Sequence, residues 1–546
     1  METVNNDHKM GFFGASSYVI GNIIGSGIFI TPSSILRCSG SVGVSLIIWL
    51  GCAVIAILGS LCYIELGTSI REAGCDFAYI CYVKWYPIAF AFMWVSVLMT
   101  YPATIAIIAE TFGQYLIEGL KQVYDIDENY IPLAQKLFSF SLLLLVMWMN
   151  FFSLSKFAAK FQVVATFAKL LSCGLIIITG AYYYFIKGWK SNLDDMWSDS
   201  IYETGSLVMA FYGGLWAFSG WDILNYGAGE IKNPRKNVPL ALLSGIIVVA
   251  LVYISINIAY FVALDADTMK SSNAVAAIFS SKTLGSFSEF IPFLIGILLL
   301  GSLNSNLFSG SRYMYAAAKQ GHLPACFSCV NKATESPRVA VFAQTLLAMG
   351  ISFIGDLDSL IAYCMFGFWA QRIFTLVALL VIRYKMIPVH PEAVKMPLWV
   401  HYTFLFFTVI LVIIPIFQEF HVTILGLTLC GIGFVFYYLL IHSDNLPLSF
   451  YKINNYTTLV ACIIFDCLPD VKTIIPVVKL KTSSSKIILN GDSQDQLLLE
   501  DTSLSSITNI VDIGPPSPTD DNSVPDLHSD EKNIAVRTHS FSRKIW

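Results

Sequence analysis

Stretches of about 20 apolar residues, the length that carries an α-helix across a hydrocarbon core, recur along the first 440 residues of this chain. Lipid offers no hydrogen-bond partners, so each stretch must close its own backbone bonds, and helices do this segment by segment. Twelve such spans can be marked, at 11–36, 43–66, 87–117, 135–154, 159–187, 204–228, 238–263, 289–318, 339–355, 358–383, 399–418 and 421–442. Of the 546 residues, 56% are hydrophobic and 13% are charged. A soluble surface of this size needs far more charge. The expected class is therefore an all-α polytopic membrane protein: a twelve-helix domain over 11–442, between a short N-terminus (1–10) and a polar tail (443–546). The opening METVNNDHKM is polar, and no cleaved signal peptide is expected. Twelve cysteines are scattered, mostly inside the spans, where cysteine acts as a small apolar residue.

Loop charge gives the orientation. Lys84, Lys156, Lys160, Lys236, Lys319, Arg338 and Lys385 fall on one side, while Asp125, Asp194, Asp265 and Asp356 fall on the other. Both termini are expected in the cytoplasm. Residues 448–467 remain apolar and aromatic, as in a segment lying on the inner membrane face. From about Lys481 onward Ser, Asp and Asn dominate, with PPSP at Pro515 to Pro518, a composition that does not fold alone. The chain ends RKIW, and a C-terminal carboxylate after an apolar residue suits a PDZ-type groove.

Two spans are interrupted at mid-depth. The first carries GNIIGSGIFITP, Gly21 to Pro32; the sixth carries GGLWAFSGWDILNYGAGE, Gly213 to Glu230. Glycine weakens a helix, and a break at membrane depth is tolerated only where freed backbone groups face a cavity or a polar ligand. Interruptions at corresponding places in two five-helix halves are the mark of an inverted repeat, with the breaks meeting at the midplane. Half-helix N-termini there offer N–H groups to a carboxylate, and unwound carbonyls suit an ammonium. A ligand bearing both is an α-amino acid. The competing explanation is that these glycines only let helices pack closely.

IIGSGIF in the first span, FSGWDILNY followed by EIKNPRKNVPLA, GSRYMYAAAKQGHLP (Gly310 to Pro324) and DLDSLIAY (Asp356 to Tyr363) resemble the light-chain family of heteromeric amino acid transporters, within the amino acid–polyamine–organocation superfamily. The likeness covers about residues 10–440. It implies a LeuT-like 5+5 inverted repeat with discontinuous helices 1 and 6, and sodium-independent exchange of L-amino acids at the plasma membrane. The family's carboxylate contacts fall on Ser26 and Gly27, with Gly25 beside them. Its ammonium contacts fall on the carbonyls of Ile23, Trp216 and Ser219, and its aromatic gate on Trp216. Lys169, about 13 Å deep if counted at 1.5 Å per residue from Lys160, stands where sodium-coupled relatives hold the ion.

Three residues leave the side-chain end of the site open. Asp222 occupies a position where many neutral-amino-acid members have asparagine. It either attracts cationic substrates or caps the second half-helix. Gly229-Glu230 replaces the family's usual acidic pair. Arg372 lies inside the tenth span, where it needs an acid or carbonyl partner; it would read an acidic substrate or neutralise Asp222.

Neither a metal nor a cofactor is expected. Cys326 and Cys329 form one CxxC without a second pair along the chain, a weak zinc signal. Asn455-Tyr456-Thr457 is a sequon on the cytoplasmic side, where no glycan is expected. Gly25-Ser26-Gly27 lacks the third glycine and the βαβ setting of a nucleotide loop, and no Walker sequence occurs. The resemblance implies a heavy-chain partner held by a cysteine between spans three and four, but Glu118 to Leu133 contains none, so a disulfide link is not expected. The partners are then the amino acid substrate and the bilayer; nothing points to nucleic acid or to an enzyme. The rival functions are a uniporter or proton-coupled carrier, and an amino acid sensor without transport.

Overall fold

The computed structural model describes residues 11–70, 75–152, 155–222, 224–225, 233–334, 336–418, 420–441 and 448–470. Outside these lie the N-terminal ten residues, Gly227 to Glu230, Lys232, and the tail with its PPSP and RKIW motifs. The first span forms two helices, α1 (Phe12–Ile23) and α2 (Gly27–Ser39), bent by 49° at Ile24 to Ser26. Gly21 stays helical, so the break is shorter than the glycine-rich stretch. Helix α2 closes at Gly40, whose φ of +78° suits glycine; an added Cβ would meet the Asp199 carbonyl at 2.0 Å.

The remaining helices follow in order: α3 (Val42–Ser69), the short α4 (Asp76–Tyr82), and α5 (Tyr86–Val95), which runs through a π-helical stretch into α6 (Tyr101–Lys121). Then come α7 (Ile131–Phe151), α8 (Ser155–Phe185), α9 (Thr204–Ala217), α10 (Pro234–Ala263), and the short α11 (Ala266–Lys270) and α12 (Val275–Thr283). The chain continues with α13 (Phe290–Lys319), α14 (Arg338–Ile351), α15 (Leu357–Tyr384), α16 (Leu398–Gln418), α17 (Phe420–Phe436) and α18 (Leu448–Phe465). Among the described residues, nine helices are long and apolar enough to cross a membrane, and ten if the bent pair α1–α2 counts as one span. Helices α9 and α14, at 14 residues each, fall short of that length. Helices α4, α11 and α12 lie in stretches the hydropathy pattern leaves as loops, because they are too short for a membrane run.

The outward faces are apolar. Ile47, Leu50, Ile178, Leu251, Phe406 and Leu427 are all exposed, the arrangement expected of a surface solvated by lipid. Inside, charge is sparse. Glu65 on α3 is buried; its carboxylate meets Arg383 of α15 at 3.1 Å and accepts the Met396 N–H at 2.7 Å. Thr68 and Ser69 accept the amides of Val394 and His390. The 385–397 loop is thereby fastened to the end of α3.

Candidate functional site

The two interrupted segments meet. Gly27, the first residue of α2, packs so closely on α9 that an added Cβ would lie 2.4 Å from the Ala217 Cα. Helix α9 runs unbroken through Gly213 and Gly214 and ends at Ala217. Those two glycines are therefore packing sites: a Cβ on Gly214 would reach the Cys52 sulfur at 2.5 Å. The second break lies at Phe218 to Asp222, with Gly220 at φ +94°.

Each break frees backbone groups. Tyr253 of α10, fully buried, donates from its hydroxyl toward both the Ile23 carbonyl (2.9 Å) and the Ala217 carbonyl (3.1 Å). These are the last carbonyls of α1 and α9, which have no following turn to satisfy them. Asn22 of α1 donates through Nδ2 to the Gly220 carbonyl at 3.0 Å, linking one break to the other. Behind them, Trp49, Phe218 and Tyr253 form an aromatic cluster with centroids 5.1–6.2 Å apart.

The expected contacts divide into those already engaged and those left open. The Ile23 carbonyl is shared with Tyr253. The Trp216 carbonyl accepts the Ser219 N–H at 3.0 Å, and the Ser219 hydroxyl turns back to Leu215 at 3.1 Å. The Trp216 ring is buried. The first N–H groups of α2, at Gly27 and Ile28, have no preceding turn to receive them, while the Ser26 carbonyl accepts from Phe29 and Ile30. Ser302 of α13 has its Oγ 3.8 Å from where a Gly25 Cβ would stand. That hydroxyl is buried without a hydrogen-bond partner among the described residues. A buried unpaired hydroxyl is costly, so it marks a place where a polar ligand or water completes the structure. Asn22 lies within the first interrupted stretch, whereas chain position gave no hint of Tyr253 or Ser302, which lie on intact helices. A polar residue on an otherwise apolar span was their one signal.

Lys169 of α8 is buried and donates to the Gly21 carbonyl at 3.2 Å, tying α8 to the last turn of α1.

Below the second break lies a caged ion cluster. The Arg372 guanidinium is 3.4 Å from the Asp222 carboxylate. It also lies 4.9 Å from the rings of both Trp221 and Trp369. Asp76, from the short α4, accepts from the Tyr63 hydroxyl and from the Thr375 hydroxyl (2.9 Å). Cys75, Asp76 and Asp222 bring three potential metal ligands within 4.8 Å of one another. Arg372 already supplies the cation there, and the donors on Asp76 occupy its oxygen, so the cluster does not fit a metal. A narrow cleft with about 20 Å³ of room for water reaches it between Ser96, Tyr101, Tyr313, Phe368 and Gln371. Of the two partners open to Arg372, the structure shows Asp222. Whether Asp222 caps a second half-helix falls on a stretch of which only 224–225 are described before Asn233.

Residues 10–437 match a family model described as amino acid permease. Amino acid transporter protein 6 of Caenorhabditis elegans is 43% identical over 85% of this chain and 90% of its own length. The human cystine/glutamate transporter is 35% identical over 86% of this chain and 92% of its own. The rat large neutral amino acids transporter small subunit 2 is 32% identical over 83% and 84%.

Proposed function

We propose, for a chain that belongs to the amino acid permease family and within it to the L-type light chains, sodium-independent exchange of neutral L-amino acids across the plasma membrane. The carrier is a twelve-helix LeuT-like 5+5 repeat with both termini in the cytoplasm, and it works by alternating access. The observation that carries this reading is the meeting of the two breaks. Ser26 and Gly27, at the open start of α2, suit the substrate carboxylate, and carbonyls at Ile23, Trp216 and Ser219 suit its ammonium. Only the part common to all amino acids is held this way, so the side chain is left to the surrounding walls, with the Trp216 ring as gate. Lys169 supports sodium independence: its ammonium holds the Gly21 carbonyl from the flank of α1, as a fixed charge in place of a mobile ion.

Neutral substrates are favoured because Arg372 offsets Asp222. A second reading, cationic substrates, draws on Asp76, since two carboxylates share one guanidinium and leave one negative charge over. A heavy chain, if used, is held without a disulfide from the 118–133 loop. The RKIW motif suits a PDZ-type groove. Uptake of a full amino acid panel into proteoliposomes, with and without sodium and with and without internal substrate, tests the reading. Uptake that needs internal amino acid and ignores sodium is expected. Sodium dependence, or full uptake into empty vesicles, would replace exchange by a coupled carrier or uniporter, and binding without flux would mean a sensor.

A further inference from the structure

Helix α15 is fastened to both interrupted segments, once at its start and once near its middle. At the start stands Asp358, in the first turn. Its carboxylate meets the Arg37 guanidinium of α2 at 2.8 Å. The same guanidinium donates to the Lys270 carbonyl at 3.0 Å and to the Asn273 side-chain oxygen at 3.1 Å, at the end of α11 and just beyond it. One side chain thus joins α2, α15 and the connection between α11 and α12. Arg37 lies about 15 Å along the helix from Gly27, at 1.5 Å per residue. Helix α2 is therefore a short rod with the first break at one end and Arg37 near the other.

Arg372 stands about 21 Å further along α15 than Asp358. It pairs at 3.4 Å with Asp222 of the second break and lies 4.9 Å from the Trp221 ring. From the next turn of α15, the Thr375 hydroxyl donates to Asp76 of α4 at 2.9 Å. Asp76, Phe77 and Asp222 all line the narrow cleft, so this second contact borders it. The two contacts differ in setting. The Arg37 and Asp358 side chains are 32% and 37% exposed, those of Arg372 and Asp222 only 8% and 13%.

We propose that α15 is the common post of two gates, with Arg37 latching the outer one and Arg372 the inner one. This rests on the alternating-access reading of the same site. With the proposed cytoplasmic N-terminus, α2 runs outward and α15 inward, which puts Arg37 outside the site and Arg372 inside it. Both latches are closed in this conformation. Outward opening parts α2 from α15 and breaks the Arg37 contacts; inward opening parts the second break and α4 from α15 and breaks those of Arg372 and Thr375. Every conformation with the outer gate shut keeps the Arg37 latch. Its loss therefore shifts the population toward the outward-open state, in which the inner latch is shut. Loss of the inner latch shifts it the other way.

Amide deuteration of the full-length protein in nanodiscs, read segment by segment by mass spectrometry, tests this. Arg37→Gln is expected to speed deuteration across α11 and α12 by about fivefold or more, the lower end of coupling between two sites, and to slow it in α4. Asp358→Asn, at the same exposed latch, repeats that pattern. Arg37→Glu combined with Asp358→Arg restores the pair and brings α11 and α12 back toward the unmutated rate. Asp222→Asn gives the reverse pattern, fast in α4 and slow in α11 and α12. Deuteration that rises at both ends in Arg37→Gln means general loosening, and an unchanged rate at both ends means that the latch holds nothing; either result overturns the proposal. The readout needs no substrate flux, so a chain that carries nothing still reports its latches, and failure of the transport reading shows in the proteoliposome assay instead.

Discussion

At Gly27 a single methyl group is too much. A Cβ there would sit 2.4 Å from backbone of α9, and neither helix can retreat without opening the site. Gly27→Ala is expected to abolish amino acid uptake while the protein still reaches the surface; normal uptake would show that the contact yields. Asp222 makes a different forecast. Paired with Arg372 beside a second carboxylate, it supports the local fold more than it selects a substrate. Asp222→Asn should therefore depress neutral and cationic uptake alike and lower the melting temperature. A loss confined to lysine and arginine would return Asp222 to substrate selection. Gly27 and Asp222 were both legible in the sequence because each breaks a local rule, glycine in a helix and acid in a membrane. Tyr253 and Ser302 were not, because tyrosine and serine on an apolar span break none; only their positions against Ile23, Ala217 and Gly25 give them meaning.

Among the elements, α1, α2 and α9 depend on neighbours to hold their broken ends. Tyr253 of α10 serves two terminal carbonyls with one hydroxyl, and Lys169 of α8 serves a third. Tyr253→Phe leaves both carbonyls without that donor, at a cost of about 1–3 kcal/mol. It should lower thermal stability and slow exchange; a wild-type melting curve would mean that water replaces the hydroxyl. Lys169→Met should lose uptake with no recovery in sodium, whereas sodium-stimulated uptake would show that the lysine merely fills an ion site that can be reopened. Ten of the twelve marked spans, counting the bent pair as one, meet helices long and apolar enough to cross, since burial in lipid writes directly into composition; the sixth and ninth meet the 14-residue helices α9 and α14. The exact breaks were not readable. The glycines at 21, 213 and 214 lie in regular helix, and their spacing cannot tell a kink from close packing until the facing residue is known.

For the whole molecule, the 118–133 loop without cysteine forecasts independence from a covalent partner. Surface expression and exchange should be the same under reducing and non-reducing conditions, with one band of unchanged mass on non-reducing gels. A larger band that collapses on reduction would reveal a linked partner through another cysteine. The sequence by itself determined that this chain lives in a membrane, where most of its long apolar helices run, and which family it resembles, because each of these follows from local composition and contiguous motifs. Tertiary structure decided what no local pattern carries: that Arg372 answers Asp222, that one tyrosine joins both breaks, and that Cys462 arrives 3.7 Å from Cys329. These are contacts between residues 36 to 230 positions apart, and chain spacing holds no record of which distant side chains the packing of apolar helices will bring face to face.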